Sequence, residues 1–252
     1  MTVNRLLRVL GAMVLTSAAL AQPAPRSYAV ISEIAREVSV VGFQEATGTR
    51  IDPNLRQRIP IPGGALDKVA LVSSQLALKS AAPGASVWLI APADTDFFDG
   101  LQTAAVGDKI AVPDDLAAAF KENRSTHLLL FTRHKAAAQF RFANLSDGEG
   151  PLDGLGFYVD RRLKVENRNT SQSGVGYLAP FAHFRATLID TATTKVIKTE
   201  TVRASQVLGA GQAQNGSVNP WDALTSAEKI NKLRDMVRDE VTRLVPLLVA
   251  AP

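Results

Sequence analysis

Two short runs, Ser86-Val87-Trp88-Leu89-Ile90 and Thr126-His127-Leu128-Leu129-Leu130-Phe131-Thr132, carry apolar residues on both sides of an extended chain, and each follows a helical pattern. Strands of that kind belong to a sheet covered on at least one face. Before the first run, Leu66, Val69, Ser73, Leu76 and Ser80 recur at spacings of three and four with Ala70 and Ala77 beside them. They mark one narrow packing stripe on a helix that Pro83-Gly84 stops. Before the second run, Asp114 and Asp115 follow Pro113 at the start of a shorter helix, where negative charge favours the helix dipole.

The rest of the chain fills in around this frame. Residues 28–35 and 37–43 read as two strands forming a hairpin around Arg36, and the Pro/Gly-rich residues 45–64 read as a loop. Residues 144–156 read as a second loop, 156–165 as a strand, 167–176 as a polar tip and 209–220 as a further polar loop. From 181 to 190 the chain alternates, with Ala182, Phe184, Ala186 and Leu188 on one face and His183, Arg185 and Thr187 on the other. A Thr-rich turn then returns it along 195–205 as an antiparallel hairpin. Thr225 and Glu228 have capping-box spacing, and Ile230, Leu233, Val237, Val241, Leu244 and Leu248 give the closing helix an apolar face that Pro246 kinks or ends. Glu228 with Lys232 and Asp239 with Arg243 have the spacing of favourable helix pairs. The expected fold is α/β (α+β): one mixed sheet with helices packed on it, a C-terminal antiparallel hairpin and a closing helix. No repeat or clean linker divides it, so residues 22–252 form one domain.

Residues 1–21 have the order of a secretory signal peptide. Arg5 and Arg8 precede an apolar run ending at Leu20, and Ala19-Leu20-Ala21 supplies small residues where a signal peptidase reads. The run is shorter than the roughly 20 apolar residues of a membrane span. Cleavage removes two arginines and no acid, leaving 26 basic against 24 acidic residues. That balance argues against a nucleic-acid partner. With 46% hydrophobic and 21% charged residues the chain has an ordinary globular composition. It contains no cysteine, which removes disulfides, thiolate metal sites, cysteine nucleophiles and a lipid anchor on a cysteine. The expectation is a soluble periplasmic protein with no transmembrane segment in its mature part, secretion beyond the cell remaining open.

No motif completes a catalytic constellation. Asp94-Thr95-Asp96-Phe97-Phe98-Asp99-Gly100 offers carboxylates for a hard cation, making Asp94, Asp96 and Asp99 the metal candidates. With Phe98 fifth and Ala105 twelfth it fails the EF-hand pattern. Its Asp-x-Asp also resembles the haloacid-dehalogenase phosphatases, without their following Gly-Thr. The alternative to a solvated acidic loop is a metal-dependent hydrolase in which Asp94 and Asp96 act with a distant histidine such as His134. None of His127, His134 and His183 is three to five residues from another, as a helical zinc motif requires. His134 sits in Arg133-His134-Lys135, where positive charge disfavours protonation. No Gly-x-Ser-x-Gly elbow, Walker lysine or complete dinucleotide loop occurs, and no cofactor is implied.

Arg133, Lys135, Arg141, Arg161, Arg162, Lys164 and Arg168 concentrate basic charge, with Phe140, Phe142, Phe157 and Tyr158 interleaved. If they share a face with Tyr177 and Arg185, they suit an envelope protein, an anionic glycan or a lipid headgroup. The bland reading is an alternating strand with its charged side in water.

The segment Phe184-Arg185-Ala186-Thr187-Leu188-Ile189-Asp190, its threonine-rich turn and the return Lys195-Val196-Ile197 resemble a unit of α/β envelope proteins. These are the group related to the curli secretion component and the penicillin-binding-protein activator lipoproteins. The resemblance implies a fold of this kind and a non-enzymatic accessory or binding role in the envelope, or a structural assembly subunit that forms a homo-oligomer. The lipidated cysteine common in that group is missing here.

Overall fold

One strand organises the backbone ladder. The computed structural model describes residues 26–45, 52, 54–91, 105–106, 108–167, 172–209 and 217–250. In chain order these form β1 (Ser27–Glu33), β2 (Glu37–Gly42), β3 (Leu55–Pro60), α1 (Ala65–Ala81) and β4 (Ser86–Ile90). The short pair β5 (Ala105–Val106) and β6 (Lys109–Ile110) follows, then α2 (Asp114–Glu122) and β7 (His127–Arg133). Three short strands, β8 (Lys135–Ala137), β9 (Phe140–Arg141) and β10 (Ser146–Asp147), lead into β11 (Pro151–Asn167) and β12 (Gln172–Asp190). The chain ends with β13 (Val196–Ser205), β14 (Leu208–Gly209) and α3 (Ser226–Val249).

β12 spans the whole sheet. Along one edge it pairs antiparallel first with β11, up to His183 opposite Gly154, and then with β7, from Phe184 opposite Arg133. β13 and β14 line its other edge. Outside β7 runs β1 in parallel, and outside β11 runs β2 in parallel. β4 and β3 complete these two branches. The sheet is therefore mixed, as expected, but β1 and β2 are not a hairpin. They lie end to end, each in its own branch, because the two runs point the same way and the chain between them is only a kink. Asp67, in the first turn of α1, stabilises that kink by accepting from the Ile34 amide at 2.8 Å and the Ser32 hydroxyl at 2.6 Å. Arg36 bridges to Glu33 at 2.9 Å.

One face of the sheet packs on α1 and α3. Phe131, Leu155, Phe157, Leu178, Phe184 and Leu188 meet Leu66, Leu78, Leu233, Val237, Val241 and Leu244 there. Each fully buried aliphatic side chain contributes about 1.5–3 kcal/mol. The opposite face has two covers. α2 lies over Ala29, Ile31, Leu128 and Leu130, and the excursion 138–152 lies over Val41, Tyr158, Tyr177 and Phe181.

Several expectations shift in detail. Residues 45–64 contain β3, an edge strand whose residues are all exposed, so little apolar burial marked it. The narrow stripe on α1 is rotated: Leu76 is 64% exposed, while Ala70, Leu71, Ser74, Ala77 and Leu78 are buried. α1 touches both the sheet and α3, and small residues permit that double approach. β4 is only partly buried because it is the outermost strand of its branch. α3 continues through Pro246, and its last carbonyls are met by the Arg26 guanidinium at 3.1 Å and the Lys198 ammonium at 2.9 Å. The capping box forms, with the Thr225 amide donating to Glu228 at 2.7 Å. Arg243 reaches Glu240 in place of Asp239, which meets Arg238. Among the described residues, no helix is long and apolar enough to cross a membrane.

Candidate functional site

Neighbouring residues in a strand face opposite sides, and here both sides are covered where the aromatics lie. Phe157 is 2% exposed, buried toward the helices, with its ring edge-on to Trp221 at 5.7 Å. Tyr158 and Tyr177 are fully buried beneath the 138–152 excursion, packed with Phe140. The Tyr177 hydroxyl donates to Asp147 at 2.8 Å, and the Tyr158 oxygen accepts from the Glu149 amide at 3.2 Å. Burial, the first cause in each case, pushes both phenols up, Tyr158 to about 12. These three aromatics anchor the core, which corrects the expectation that they flank the arginines on one exposed surface.

The basic residues also separate. Arg133 is drawn to Glu37 at 3.5 Å, a carboxylate it shares with Arg58 at 3.2 Å. Arg162 is held by Asp160 at 3.0 Å, with its guanidinium carbon 3.4 Å over the Phe43 ring. Arg185 is exposed on the face away from α1 and α3, and Arg161 is exposed midway along β11, where its pairing with β12 shifts register. The candidates Asp94, Asp96 and Asp99 lie outside the described residues. Among those described, no group of three or more His, Cys, Asp or Glu is placed to hold a metal ion. His134 and His183 do meet, where β12 changes partner from β11 to β7, the His134 amide donating to the His183 carbonyl at 3.1 Å.

Arg161 borders a groove that the sequence did not announce. α1 lies over β1 and β4, and α3 lies over β12 and β13. Over the β2–β3–β11 half, the 3-10 turn Pro220–Ala223 carries Trp221 to the sheet, and beside it an open groove of about 560 Å³ remains. Its apolar lining is Val40, Phe43, Leu55, Ile59, Val159 and Trp221; Gln44, Gln57 and Arg161 supply polar groups. Leu55 is 60% and Ile59 39% exposed. Three supports shape it. Asn219 accepts from the Trp221 amide at 3.2 Å. The Lys229 ammonium lies 4.2 Å over the indole ring and donates to the Leu224 carbonyl. Burial lowers the Lys229 pKa.

The third support is a bulge after Asp160, where the β11–β12 register shifts. The buried Asp160 carboxylate accepts from the amides of Arg162 at 2.6 Å and Leu163 at 2.9 Å, as well as from the Arg162 guanidinium. Those bonds satisfy the amides that the ladder loses there. Asp160→Ala strips these partners and should lower stability by about 2 kcal/mol, read as a lower midpoint in chemical denaturation. The alternation Leu55-Gln57-Ile59 was the one available signal for the groove, and the Pro/Gly density around it read as a loop.

The volume lies within the range of small-molecule sites. The groove offers contact to an apolar body and one cationic end, since Arg161 has no carboxylate partner among the described residues.

No family model and no curated protein matches the chain. Among solved structures it is similar to a protein of family DUF330 from Xanthomonas campestris, at 10% identity over 91% of this chain and 90% of that one, TM-score 0.39. It is also similar to lipoprotein GNA1162 from Neisseria meningitidis, at 11% identity over 87% and 99%, TM-score 0.30. A hypothetical protein from Chlamydia trachomatis is similar at 12% identity over 88% and 98%, TM-score 0.34. Likenesses this loose transfer neither a family nor a function.

Proposed function

We propose that the chain is an exported, non-enzymatic binding protein of the cell envelope whose groove holds an amphiphile with an anionic end. The observation that carries the reading is the open apolar sheet face bordered by Arg161, which has no carboxylate partner among the described residues. The apolar body of the ligand lies on Leu55, Ile59 and Val159, and its anionic group meets the guanidinium. The leader-like order of residues 1–21 supports the periplasmic address. The resemblance of the β12–turn–β13 unit to envelope proteins of the curli-related group agrees with an accessory role.

The chain has two tryptophans, and with Trp88→Phe the indole of Trp221 alone reports on the groove. Dodecyl phosphate should change that fluorescence saturably below its micelle concentration. Arg161→Glu should weaken the response by about tenfold, equivalent to about 1.4 kcal/mol, and Leu55→Asp should abolish it. A flat titration, or one indifferent to both substitutions, overturns the reading.

A further inference from the structure

The face of the sheet opposite α1 and α3 carries a gap between its two covers, the α2 cluster and the 138–152 excursion, and polar side chains gather there. Along this gap His183 stands opposite Arg203 of β13, and Arg185 stands opposite Thr201. The two arginines are thus diagonal neighbours on adjacent strands of one face, and both are exposed. His134 joins them from the end of β7, close enough that both guanidinium charges depress its protonation after burial has done so. His183 is 4% exposed. Its ring bonds to the Leu152 backbone while its Nδ1 is buried with no partner, and Nε2 of His134 is likewise buried and unmatched.

The surrounding acids do not neutralise the two arginines. Glu33, two strands away on the Arg185 level, is buried and bridged to Arg36 at 2.9 Å. Asp153 lies near both histidines, opposite Lys135 in the β8–β11 ladder. Among the described residues neither Arg185 nor Arg203 has a carboxylate partner. Like charges set diagonally on one sheet face repel, and an unmatched buried ring nitrogen carries a desolvation cost. A single ligand relieves both.

We propose that Arg185 and Arg203, with His134 and His183 at their base, form a binding site for a phosphate-type oxyanion. Two guanidinium groups present donor forks matched to tetrahedral oxygens, and the oxyanion brings Nε2 of His134 the partner it lacks. The site lies across the sheet from the groove at Arg161, so the two readings stand or fall separately. The chemistry is shared by inorganic phosphate and by the headgroup of an anionic phospholipid.

The test uses the full chain at pH 7 and constant ionic strength. Inorganic phosphate, titrated against chloride, should shift the His134 imidazole resonances saturably in NMR spectra. Arg185→Gln combined with Arg203→Gln should weaken that response at least tenfold without lowering the thermal melt, since both side chains are exposed and their mutual repulsion is removed. The double lysine variant should keep part of it, and Arg161→Glu should leave it intact. Sedimentation with phosphatidylglycerol vesicles, phosphatidylcholine serving as blank, identifies the source. Capture that phosphate competes away assigns a lipid headgroup, whereas a phosphate response without capture assigns free phosphate or a small monoester. Histidine resonances that stay still, or that move equally in the double glutamine variant, overturn the site.

Discussion

Gly156→Ala should cost about 4 kcal/mol, enough to leave little folded protein. The reason is space. An added Cβ would sit 2.1 Å from the Ser39 carbonyl oxygen and 2.6 Å from Cζ of Phe181. Ser39 is the register partner of Gly156 in the parallel β2–β11 ladder, so its carbonyl cannot withdraw without opening the strand pair that builds the groove. Phe181 is fully buried and cannot swing away. Denaturant midpoints measure the loss. Gly42→Ala is the matched control on the same branch: its Cβ would meet only Cβ of Leu55, at 3.9 Å. That variant should stay within about 0.5 kcal/mol of the parent. Equal tolerance of both substitutions would mean that β2 and β11 do not approach as described.

Acid should weaken the fold through His183. Burial first, then the His134 and Arg203 charges, push its pKa down from the ordinary 6.5 to about 4. Between those values the unfolded chain takes up a proton that the folded chain refuses. The contribution is therefore complete above about pH 6.5 and is lost as pH falls toward 4, a change on the order of 3 kcal/mol. His127 and His134 are shifted in the same direction. Asp67 acts oppositely, because burial raises its pKa and acid relieves that cost. Comparing denaturation midpoints of the parent and His183→Gln from pH 7.5 to 4 isolates the histidine, and the variant should show the flatter profile. Parallel profiles would contradict a buried, neutral His183.

What the sequence made legible depended on how local each signal was. The β12–β13 hairpin was readable because alternation and turn residues lie within one short stretch, and the cap on α3 because Thr225 and Glu228 are three residues apart. The end-to-end placement of β1 and β2 was not. Nothing local distinguishes a kink at Arg36 from a turn, and the carboxylate that stabilises the kink comes from Asp67, on a helix some thirty residues later. The aromatic residues misled for a related reason. Phe157, Tyr158 and Tyr177 sit among glycines and arginines in sequence, but their burial is decided by the 138–152 excursion on one face and by Trp221 and the helices on the other. The basic run dispersed because Asp160 and Glu37 each claim an arginine, leaving Arg161 to the groove and Arg185 to the opposite face. No pattern in the chain foretells that α1 and α3 stop short of β2 and β3, and that shortfall creates the groove.

The most direct measurement of the groove's role is a search for intermolecular NOEs between dodecyl phosphate and methyl-labelled protein. The account predicts contacts from the alkyl chain to the methyls of Leu55, Ile59 and Val159, with the end of the chain next to the phosphate meeting Arg161. Contacts confined to methyls outside this branch of the sheet, such as Val72 and Leu76 on α1, would contradict it.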